Sequence, residues 1–385
     1  MAEAVDILIA GGGPVGAALA LALQGSGHSV VLIEARGAEA GAAPSSDSGA
    51  VRPIALSYAS RLILERLNAW SGLDATPIET IHVSQQGGFG RTLIRAAECD
   101  LPALGYVVSY VDLQRCLLAL PCSGGRIFGA RLSGFDGTIA VVQTQEGERR
   151  FAPRLAVFAD GARIAAGRAP PAYTRDYRQT AVVASVKTAQ AHCGRAWERF
   201  TPEGPLALLP YGERCGLVWT VSPDGAARLL ALDTPAFLAQ LHAAFGDRLG
   251  AFTEAGERAS FALALRYGQD ETGTHSLSIG NAAQTLHPVA GQGFNLGLRD
   301  AWELARLARA AREPGSDSFC ADYRRMRALD RRAGIQFTDS LVGLFSNANP
   351  LLRLGRGAGL LALDLLPFAR RFVARRMIYG ARALP

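Results

Sequence analysis

The sequence predicts an α/β fold in which a βαβ unit opens the chain, an antiparallel sheet is inserted in its middle, and helices close it. An apolar run at 5–10 precedes a glycine cluster and an Ala/Leu-rich segment, the order expected for a buried parallel strand and its helix. Short or alternating apolar runs separated by Gly, Pro and Asp fill 173–266, as in antiparallel strands. The last segment, 341–385, combines Leu and Phe with an excess of arginine and is predicted to be helical.

Composition narrows the class of protein. At 385 residues, of which 49% are hydrophobic, the chain can bury a full core and form two domains. Its six cysteines include no CxxC pair and no histidine at zinc spacing, which predicts reduced thiols and no metal site. The acidic N-terminus is unlike a signal peptide, and no apolar run reaches the roughly 18 residues that span a bilayer. We therefore expect a cytoplasmic protein.

The formal charge of +6 comes from the C-terminal segment. Seven arginines and one aspartate lie in 341–385, so 7 − 1 = +6 and the rest of the chain is neutral overall. We therefore expect no nucleic-acid partner. Basic apolar helices can lie in a membrane interface or pack on the protein with solvated arginines, and both interpretations of this segment stay open.

Gly11, Gly13 and Gly16 form a GxGxxG motif between the first strand and the first helix, and Glu34 ends the next strand. In a Rossmann-like fold the first glycine allows a tight turn, the second lets the backbone approach a pyrophosphate, and the third lets helix and strand pack closely. The helix N-terminus attracts the phosphates, and the carboxylate accepts the ribose hydroxyls. The motif predicts a site for NAD or FAD and disfavours NADP, whose 2′-phosphate the carboxylate would repel.

A second turn and one arginine could belong to the same site. "RLAVFADGAR" places Asp160 and Gly161 at the end of an apolar strand, although a strand-end Asp-Gly is commonly only a turn. Arg52 lies between a glycine-rich loop and a helical pattern, where it could equally be a surface arginine.

The third segment is "SLSIGNAAQTLHPVAGQGFNLGLRDA". It predicts a strand at 276–279, a glycine-rich loop, and a helix from about Asn295 to Arg312. Free backbone amides at the start of that helix would attract negative charge. The glycines would let a flat ring lie against the backbone.

Together these pieces resemble the para-hydroxybenzoate hydroxylase-like class A flavoprotein monooxygenases, whose motifs are GxGxxG, DG, and GD followed by PxxGQGxNxGxxDA. Within that superfamily, "RPIALSYASRLILERLNAW" and "HPVAGQGFNLGLRDA" are most similar to ubiquinone-biosynthesis hydroxylases of the 2-polyprenyl-6-methoxyphenol hydroxylase type. The resemblance implies FAD in a GR2-type FAD-binding domain, NAD(P)H as transient electron donor, and oxygen transfer from a flavin C4a-hydroperoxide to a polyprenylated phenol. It also implies dioxygen as co-substrate and a ubiquinone-biosynthesis protein complex as partner.

The same resemblance assigns site residues. The FAD contacts that it implies are Gly11, Gly13, Gly16, Glu34, Arg52, Gln114, Asp160, Gly161, Asn281, Pro288, Gly291, Gln292, Gly293, Phe294 and Asn295. Pro288 would border the flavin ring beside His287, which could carry a proton in catalysis or only stabilise the loop. The helix N-terminus behind them would meet the edge of the ring where reduced flavin accumulates negative charge.

The chain departs from the family pattern at four positions. Asn281 and Gln284 replace the Asp and His of many relatives, Ile164 replaces a Ser after the DG motif, and Val111 stands where relatives often have Arg. Asparagine can hydrogen-bond a ribityl hydroxyl but carries no charge. We therefore expect differently tuned FAD binding.

The predicted domains are discontinuous. The FAD-binding domain is expected to comprise 1–75, 100–172 and 275–330, the substrate domain 76–99 and 173–274, and the helical basic region 331–385. The inserted sheet would form a lid over the flavin. Its candidate substrate residues are Gln179, Arg199, Phe200 and Pro210. Each also has a plainer interpretation, as a sheet-edge amide, a solvated arginine, core packing or a turn proline.

The leading hypothesis is an FAD-dependent aromatic hydroxylase acting on a polyprenylated phenol in ubiquinone biosynthesis. Such a substrate would favour peripheral contact of 341–385 with the inner face of the cytoplasmic membrane. A flavin monooxygenase of the same fold acting on a soluble aromatic, or a non-catalytic flavin- or lipid-binding assembly component, stays open. A plain NAD dehydrogenase would leave the 280–300 segment unexplained.

Overall fold

The computed structural model describes residues 1–37, 52–122, 124–161, 171–268, 275–345 and 349–381. The strands are β1 Glu3–Ala10, β2 Val30–Glu34, β3 Pro53–Ser57, β4 Thr76–Ile78, β5 Thr80–Gln85, β6 Arg91–Arg95, β7 Gly105–Ser109, β8 Gly125–Phe128, β9 Arg131–Asp136, β10 Ile139–Thr144, β11 Gly147–Phe158, β12 Tyr173–Thr188, β13 Arg195–Phe200, β14 Pro205–Tyr211, β15 Arg214–Val221, β16 Phe252–Ala255, β17 Ala259–Tyr267, β18 Ser276–Ser278 and β19 Gln284–Thr285. The helices are α1 Pro14–Ala22, α2 Tyr58–Arg66, α3 Tyr110–Ala119, α4 Pro223–Ala231, α5 Thr234–Phe245, α6 Gln292–Ala310, α7 Asp317–Phe345, α8 Pro350–Leu365 and α9 Pro367–Tyr379.

The first sheet has the strand order β8-β2-β1-β11-β10-β9, with β18 also paired to β11. Its strands β8, β2, β1, β11 and β18 run parallel, so their carboxyl ends lie at one edge. Helices α1 and α6 cover one face, and their side chains share a core with β1, β11 and β18. Parallel strands buried in this way explain the continuous apolar runs of the sequence. The Rossmann-like part of the predicted fold is confirmed.

The second sheet has the order β19-β17-β12-β15-β14-β13-β5-β6, with β16 also paired to β12. All of its pairs are antiparallel except β13 with β5. Helices α4 and α5 cover one face, where Leu206, Leu208 and Phe237 are fully buried. The opposite face is turned towards the first domain. The inserted antiparallel sheet is therefore confirmed.

The expected domain boundaries differ from the structure in three places. Strand β4 pairs with β7 in a small sheet of order β3-β7-β4, not with the substrate sheet. Strand β19 joins the substrate sheet although it follows the point where the FAD domain was expected to resume. The boundary expected at 330/331 lies inside the continuous helix α7. The first two differences arise because β4 and β19 pair with strands that are distant in the sequence, and local sequence patterns do not record such pairing.

The C-terminal helices pack on the protein and also expose apolar side chains. Arg370 of α9 forms a salt bridge with Glu98 at 2.9 Å, and Asp364 of α8 accepts a hydrogen bond from the amide of Leu93 at 3.0 Å. Ala374 and Ile378 are buried against Ile94 and Leu104. Among the described helices, none is long and apolar enough to span a bilayer.

Candidate functional site

The glycines of the first turn connect β1 to α1 at the edge of the cavity. Gly11 has φ +115°, and a Cβ on Gly16 would lie 2.0 Å from the carbonyl oxygen of Gly11. These positions therefore need glycine for the left-handed turn and for the close approach of helix to strand. A Cβ on Gly13 would meet nothing nearer than the Tyr110 hydroxyl at 3.9 Å, so its backbone faces open space.

Glu34 ends β2 beside this turn. Its Oε2 accepts a hydrogen bond from the backbone N–H of Gly12 at 2.6 Å, and its Oε1 pairs with Arg36 at 3.1 Å. The carboxylate is thereby fixed at the cavity wall with lone pairs left to accept further hydrogen bonds. Gln114 is buried and donates to the carbonyl of Gly12 at 3.3 Å, so it supports the turn from behind and is not among the cavity-lining residues.

Arg52, Asp160, Gly161 and Asn281 surround the same groove. All four are among the residues that line it, at the carboxyl ends of the parallel strands or beside them. The Arg52 guanidinium lies 5.1 Å from the ring centroids of both Tyr110 and Phe261. The structure thus brings together the three separated motifs. Ile164 lies outside the described residues.

The loop before α6 turns sharply. Ala290 and Gly291 both have φ of 60°, which places two successive residues in the left-handed region. The helix then begins at Gln292, three residues before the predicted start. Its first backbone amides lie beside Pro288, Gly291, Gly293 and Phe294, which all line the cavity. A helix N-terminus at this position favours negative charge on a bound group.

Asn295 and Gln292 hold this loop in place. The Asn295 side chain accepts from the Ser57 amide at 2.8 Å and the Ser60 hydroxyl at 2.7 Å. It donates to the carbonyls of Ala55 and Gly291 at 3.0 and 2.7 Å. Gln292 donates to the Ala290 carbonyl at 3.2 Å. Neither residue is among the cavity-lining residues, because these bonds turn both amides towards the protein.

His287 precedes Pro288 in the loop; it is fully buried and is among the residues that line the cavity. Its Nδ1 accepts a hydrogen bond from the Val289 amide at 3.1 Å, and the ring of Tyr177 packs edge-on at 5.3 Å. Burial lowers the pKa of His287 to about 4, so the ring is neutral at pH 7. With Nδ1 accepting, the proton is on Nε2, which has no hydrogen-bond partner among the described residues. The geometry fits stabilisation of the loop.

Asp300, inside α6, holds the turn formed by residues 280–284 in place. Its carboxylate is fully buried and accepts from Gly280 at 3.3 Å, Gln284 at 2.9 Å and Arg327 at 2.7 Å. Burial alone would raise its pKa, but the charges of Arg331 and Arg327, with the hydrogen bonds from Gln284 and Arg327, hold the pKa of Asp300 below its ordinary value. The carboxylate therefore stays ionised and ties α7 to the turn that carries Asn281.

One large cavity connects these features. Its volume is about 1220 Å³, and it runs from the nucleotide groove past the 288–294 loop to the C-terminal helices. A cavity larger than most small-molecule sites can hold a nucleotide and a second ligand together. Its far end is bordered by residues of the C-terminal region: Phe337, Leu341, Leu344, Phe345, Leu352, Gly355, Arg356, Gly359, Leu360, Leu363, Val373 and Met377.

Only one predicted substrate residue lines this cavity. Phe200 does so and stacks on Phe345 at 3.8 Å. Arg199 donates to the Ala244 carbonyl at 3.0 Å on the opposite face of the sheet, and Pro210 also belongs to that face, because side chains alternate along a strand. Gln179 donates to the Glu203 carbonyl at 2.6 Å. The structure does not bring these three to the cavity.

Comparison with known proteins gives matches over nearly the whole chain. A family model described as FAD binding domain matches residues 128–338, and one described as FAD dependent oxidoreductase matches 6–96. The chain is 36% identical to ubiquinone hydroxylase UbiL of Rhodospirillum rubrum, over 97% of this chain and 90% of that protein. It is 31% identical to 3-demethoxyubiquinol 3-hydroxylase of Escherichia coli, over 94% of this chain and 95% of that protein. The chain belongs to the FAD-dependent hydroxylases of ubiquinone biosynthesis.

Structural comparison agrees on the fold of this hydroxylase. The crystal structure of p-nitrophenol 4-monooxygenase PnpA from Pseudomonas putida DLL-E4 superposes with a TM-score of 0.75 at 16% identity, covering 98% of this chain and 99% of that one. The sequence matches confirm the predicted family, enzyme class and FAD cofactor, and the structural match agrees with the predicted fold class.

The residues present in the hydroxylase fit FAD. The open backbone at Gly13 can approach a pyrophosphate, the fixed carboxylate of Glu34 can accept ribose hydroxyls, and Arg52 lies along the groove. The left-handed turn at Ala290 and Gly291 presents backbone rather than side chains to a flat ring.

Glu198 lines the cavity although it was not among the predicted site residues. This residue lies on the cavity face of β13, between Ala196 and Phe200, while its predicted neighbour Arg199 faces α5. An acidic residue inside the strand "AWERF" was the available signal. The sequence alone does not say which of the alternating faces meets the cavity.

Proposed function

We propose that this hydroxylase adds oxygen to the ring of a polyprenylated phenolic precursor of ubiquinone, with NAD(P)H as electron donor and dioxygen as co-substrate. Two relatives that are named for hydroxylation of ubiquinone or demethoxyubiquinol support the substrate class. The shape of the cavity and the surface around it support a prenyl chain on the substrate and contact with a membrane.

The observation that carries the proposal is the continuity of the cavity. One end has the polar residues expected for a dinucleotide, and its middle is floored by the face of the second sheet. The far end reaches α8, where Gly355 and Gly359 line it and are exposed. A Cβ on either glycine would meet nothing within 4 Å, so the helix leaves space for a chain to pass. An elongated ligand fits this shape, with its aromatic ring inside the cavity and its prenyl chain at α8.

The protein's own groups orient the reactants and exclude water. Bound FAD would supply the chemistry, by accepting electrons from NAD(P)H and delivering oxygen to the ring. The amides at the start of α6, together with the positive end of its dipole, stabilise negative charge beside the 288–294 loop. The apolar walls, with Phe200 and Phe345 stacked at 3.8 Å, keep water from the reacting centre.

The surface around α8 and α9 is consistent with membrane contact. Large apolar side chains are exposed there, among them Leu351 (79%), Leu365 (69%), Phe368 (70%) and Phe372 (63%). Arginines at 353, 371, 375 and 376 flank them. Apolar side chains flanked by cations suit a bilayer with anionic lipids. A polyprenyl substrate dissolved in the bilayer would then enter at α8.

The central experiment measures how fast bound flavin loses its visible absorption when NADPH is added without oxygen. We expect a short-chain prenylated methoxyphenol to accelerate this bleaching, and the same phenol without its prenyl chain to do so less. Absence of acceleration by any phenol, with flavin bound, would refute the hydroxylase proposal. Acceleration only by the unprenylated phenol would instead indicate a soluble aromatic substrate.

Gly359→Leu tests the route of the prenyl chain. The added side chain would enter the cavity at α8, so we expect KM for the prenylated phenol to rise about tenfold or more with the unprenylated phenol unaffected. Gly343→Leu is the matched control, because this exposed helical glycine of α7 also has open space around a Cβ and does not line the cavity. Equal effects of both variants on both phenols would contradict the route.

Membrane contact is tested by co-sedimentation with vesicles of neutral lipid, with and without anionic lipid. We expect binding to the anionic vesicles that the double variant Phe368→Ser, Phe372→Ser weakens at least fivefold, because both rings are more than half exposed and would enter the bilayer. Unchanged binding of this variant would exclude the α9 surface as the contact.

A further inference from the structure

Glu198 lies in the middle of an apolar sheet face. Its neighbour on β5 is Val83 and its neighbour on β14 is Ala207, and the row continues to Val218 on β15. All four residues line the cavity. Glu198 is the one ionisable side chain that the described part of this sheet presents to the cavity. Thr92, paired with Val83, and Thr220 also line it but carry no charge, so the carboxylate is set in a largely apolar surface.

The neighbours of Glu198 along β13 connect it with the 288–294 loop. Phe200, two residues along the same face and therefore about 7 Å away, packs in one cluster with Val289. Ala196, two residues along in the other direction, belongs to a cluster that includes Ala55, and a Cβ on Gly291 would lie 3.4 Å from Ala55. Contacts on both sides of Glu198 thus reach the segment 288–293.

The described residues offer Glu198 no hydrogen bond and no ion pair. The other charged or titratable groups near this part of the cavity are His287, which is buried and neutral, and Arg356 of α8, whose guanidinium donates to the carbonyls of Leu344 and Phe345. Arg199 lies on the opposite face of the strand. Burial raises the pKa of Glu198 to about 7, a value suited to accepting a proton at neutral pH.

We propose that Glu198 is a catalytic residue that accepts the proton of the substrate's phenolic hydroxyl. The inference rests on the proposed function, in which the substrate is a phenol. An unpaired carboxylate costs free energy in an apolar wall, and a phenol O–H directed at it would remove that cost. Sites with a strongly perturbed carboxyl in a cavity are functional candidates for this reason.

The step is a proton transfer with no change of oxidation state. The phenolic O–H bond breaks, its electron pair stays on the phenolic oxygen, and an O–H bond forms on the carboxylate of Glu198. The electron-rich ring then reacts more readily with an electrophilic oxygen. After turnover the carboxylic acid returns the proton to the product's oxygen, so Glu198 ends in its starting state.

The test uses the FAD-loaded protein without NADPH and the probe 2-methoxy-4-nitrophenol, whose ionised form absorbs visible light. In the wild type the carboxyl and the phenol share a site, so ionisation of the bound probe should proceed in two steps between pH 5.5 and 9. The second step should be displaced to high pH because two negative charges repel. In Glu198→Gln a single step is expected, and in Glu198→Asp two steps should return.

Glu213→Gln is the matched control, since it makes the same chemical change at an exposed position in the turn between β14 and β15. It should retain both steps. A single step in the wild type, indistinguishable from that of Glu198→Gln, would overturn the proposal, provided that flavin content and circular dichroism show both proteins folded. This optical readout needs no turnover, so its failure is distinct from failure of phenol-stimulated flavin reduction.

A second measurement separates catalysis from structure. With the phenol as substrate, Glu198→Gln should lower kcat roughly a hundredfold or more, since a general base contributes about a hundredfold to ten-thousandfold. Binding of the corresponding phenol methyl ether, which has no proton to give, should change less than twofold. Equal weakening of phenol and methyl ether binding, with kcat unchanged, would show that Glu198 only shapes the cavity.

Discussion

Asp300 gives the sharpest prediction about the cofactor loop. We expect Asp300→Asn to lower the free energy of unfolding by about 3 kcal/mol, because the fully buried Arg327–Asp300 pair at 2.7 Å loses one of its charges. Losses of 3–5 kcal/mol are usual when a buried pair is broken, and the lower end applies because Arg327 keeps Asp330 at 2.8 Å. The new amide would also direct an N–H towards the donors of Gln284 or Arg327.

The assay is urea unfolding followed by tryptophan fluorescence and by the release of flavin. Asp322→Asn on α7 is the matched control, because its pair with Arg325 is exposed and should contribute less than about 1 kcal/mol. The double variant Asp300→Asn, Arg327→Met should lose at least about 1 kcal/mol less than the sum of the single variants. Equal stability of Asp300→Asn and Asp322→Asn would refute the argument, since both carboxylates would then be equally dispensable.

Three further outcomes follow from the same geometry. Gly16→Ala should reduce copurified FAD at least tenfold, because the added Cβ would lie 2.0 Å from the carbonyl oxygen of Gly11. Gly37→Ala is the control and should retain FAD, because a Cβ there has open space around it. Equal flavin absorbance of the two purified variants would contradict this prediction. The pKa of Glu198 is about 7 in the folded protein and 4.5 in its ordinary state, so the free energy of unfolding falls as pH rises from 4.5 to 7. Urea titrations should therefore show Glu198→Gln about 3 kcal/mol more stable than the wild type at pH 8 and equally stable at pH 4. The pKa of His287 is about 4 in the folded protein and 6.5 in its ordinary state, so the free energy of unfolding falls as pH falls from 6.5 to 4. His287→Gln should remove about 3 kcal/mol of this loss. An unaltered pH profile of the urea midpoint would disprove this prediction.

The sequence was most informative where a motif is local. The glycine turn, the strand-end Asp160-Gly161 and the 280–300 segment each combine an apolar strand with the residues that follow it. Because β1, β11 and β18 are parallel, their carboxyl ends meet at one edge and bring the three motifs together. The spacing within each motif could therefore predict the groove. It did not predict the left-handed turn at Ala290 and Gly291, and for that reason the start of α6 was predicted three residues too late.

The substrate side depends on information that the sequence lacks. Arg199 and Glu198 are consecutive, and a strand directs them to opposite faces, so choosing the face decides which one meets the ligand. The choice is fixed by α5, which covers the Arg199 face, and by the cavity on the other. Asn295 shows a similar limit. Its position in the motif indicates the flavin, but its four hydrogen bonds are to Ser57, Ser60, Ala55 and Gly291.

Two of the four departures from the family pattern, Asn281 and Gln284, differ in their expected effect on cofactor binding. Gln284 is buried and donates to Asp300 at 2.9 Å, and it is not among the residues that line the cavity. A histidine there could donate the same hydrogen bond, so this exchange preserves the support of the loop and leaves the cofactor contacts unchanged. Asn281 is exposed and lines the groove, so a carboxylate at that position would face a ligand bound there. Any difference in FAD binding from this motif should therefore follow position 281, and Asn281→Asp, not Gln284→His, should change the affinity for FAD.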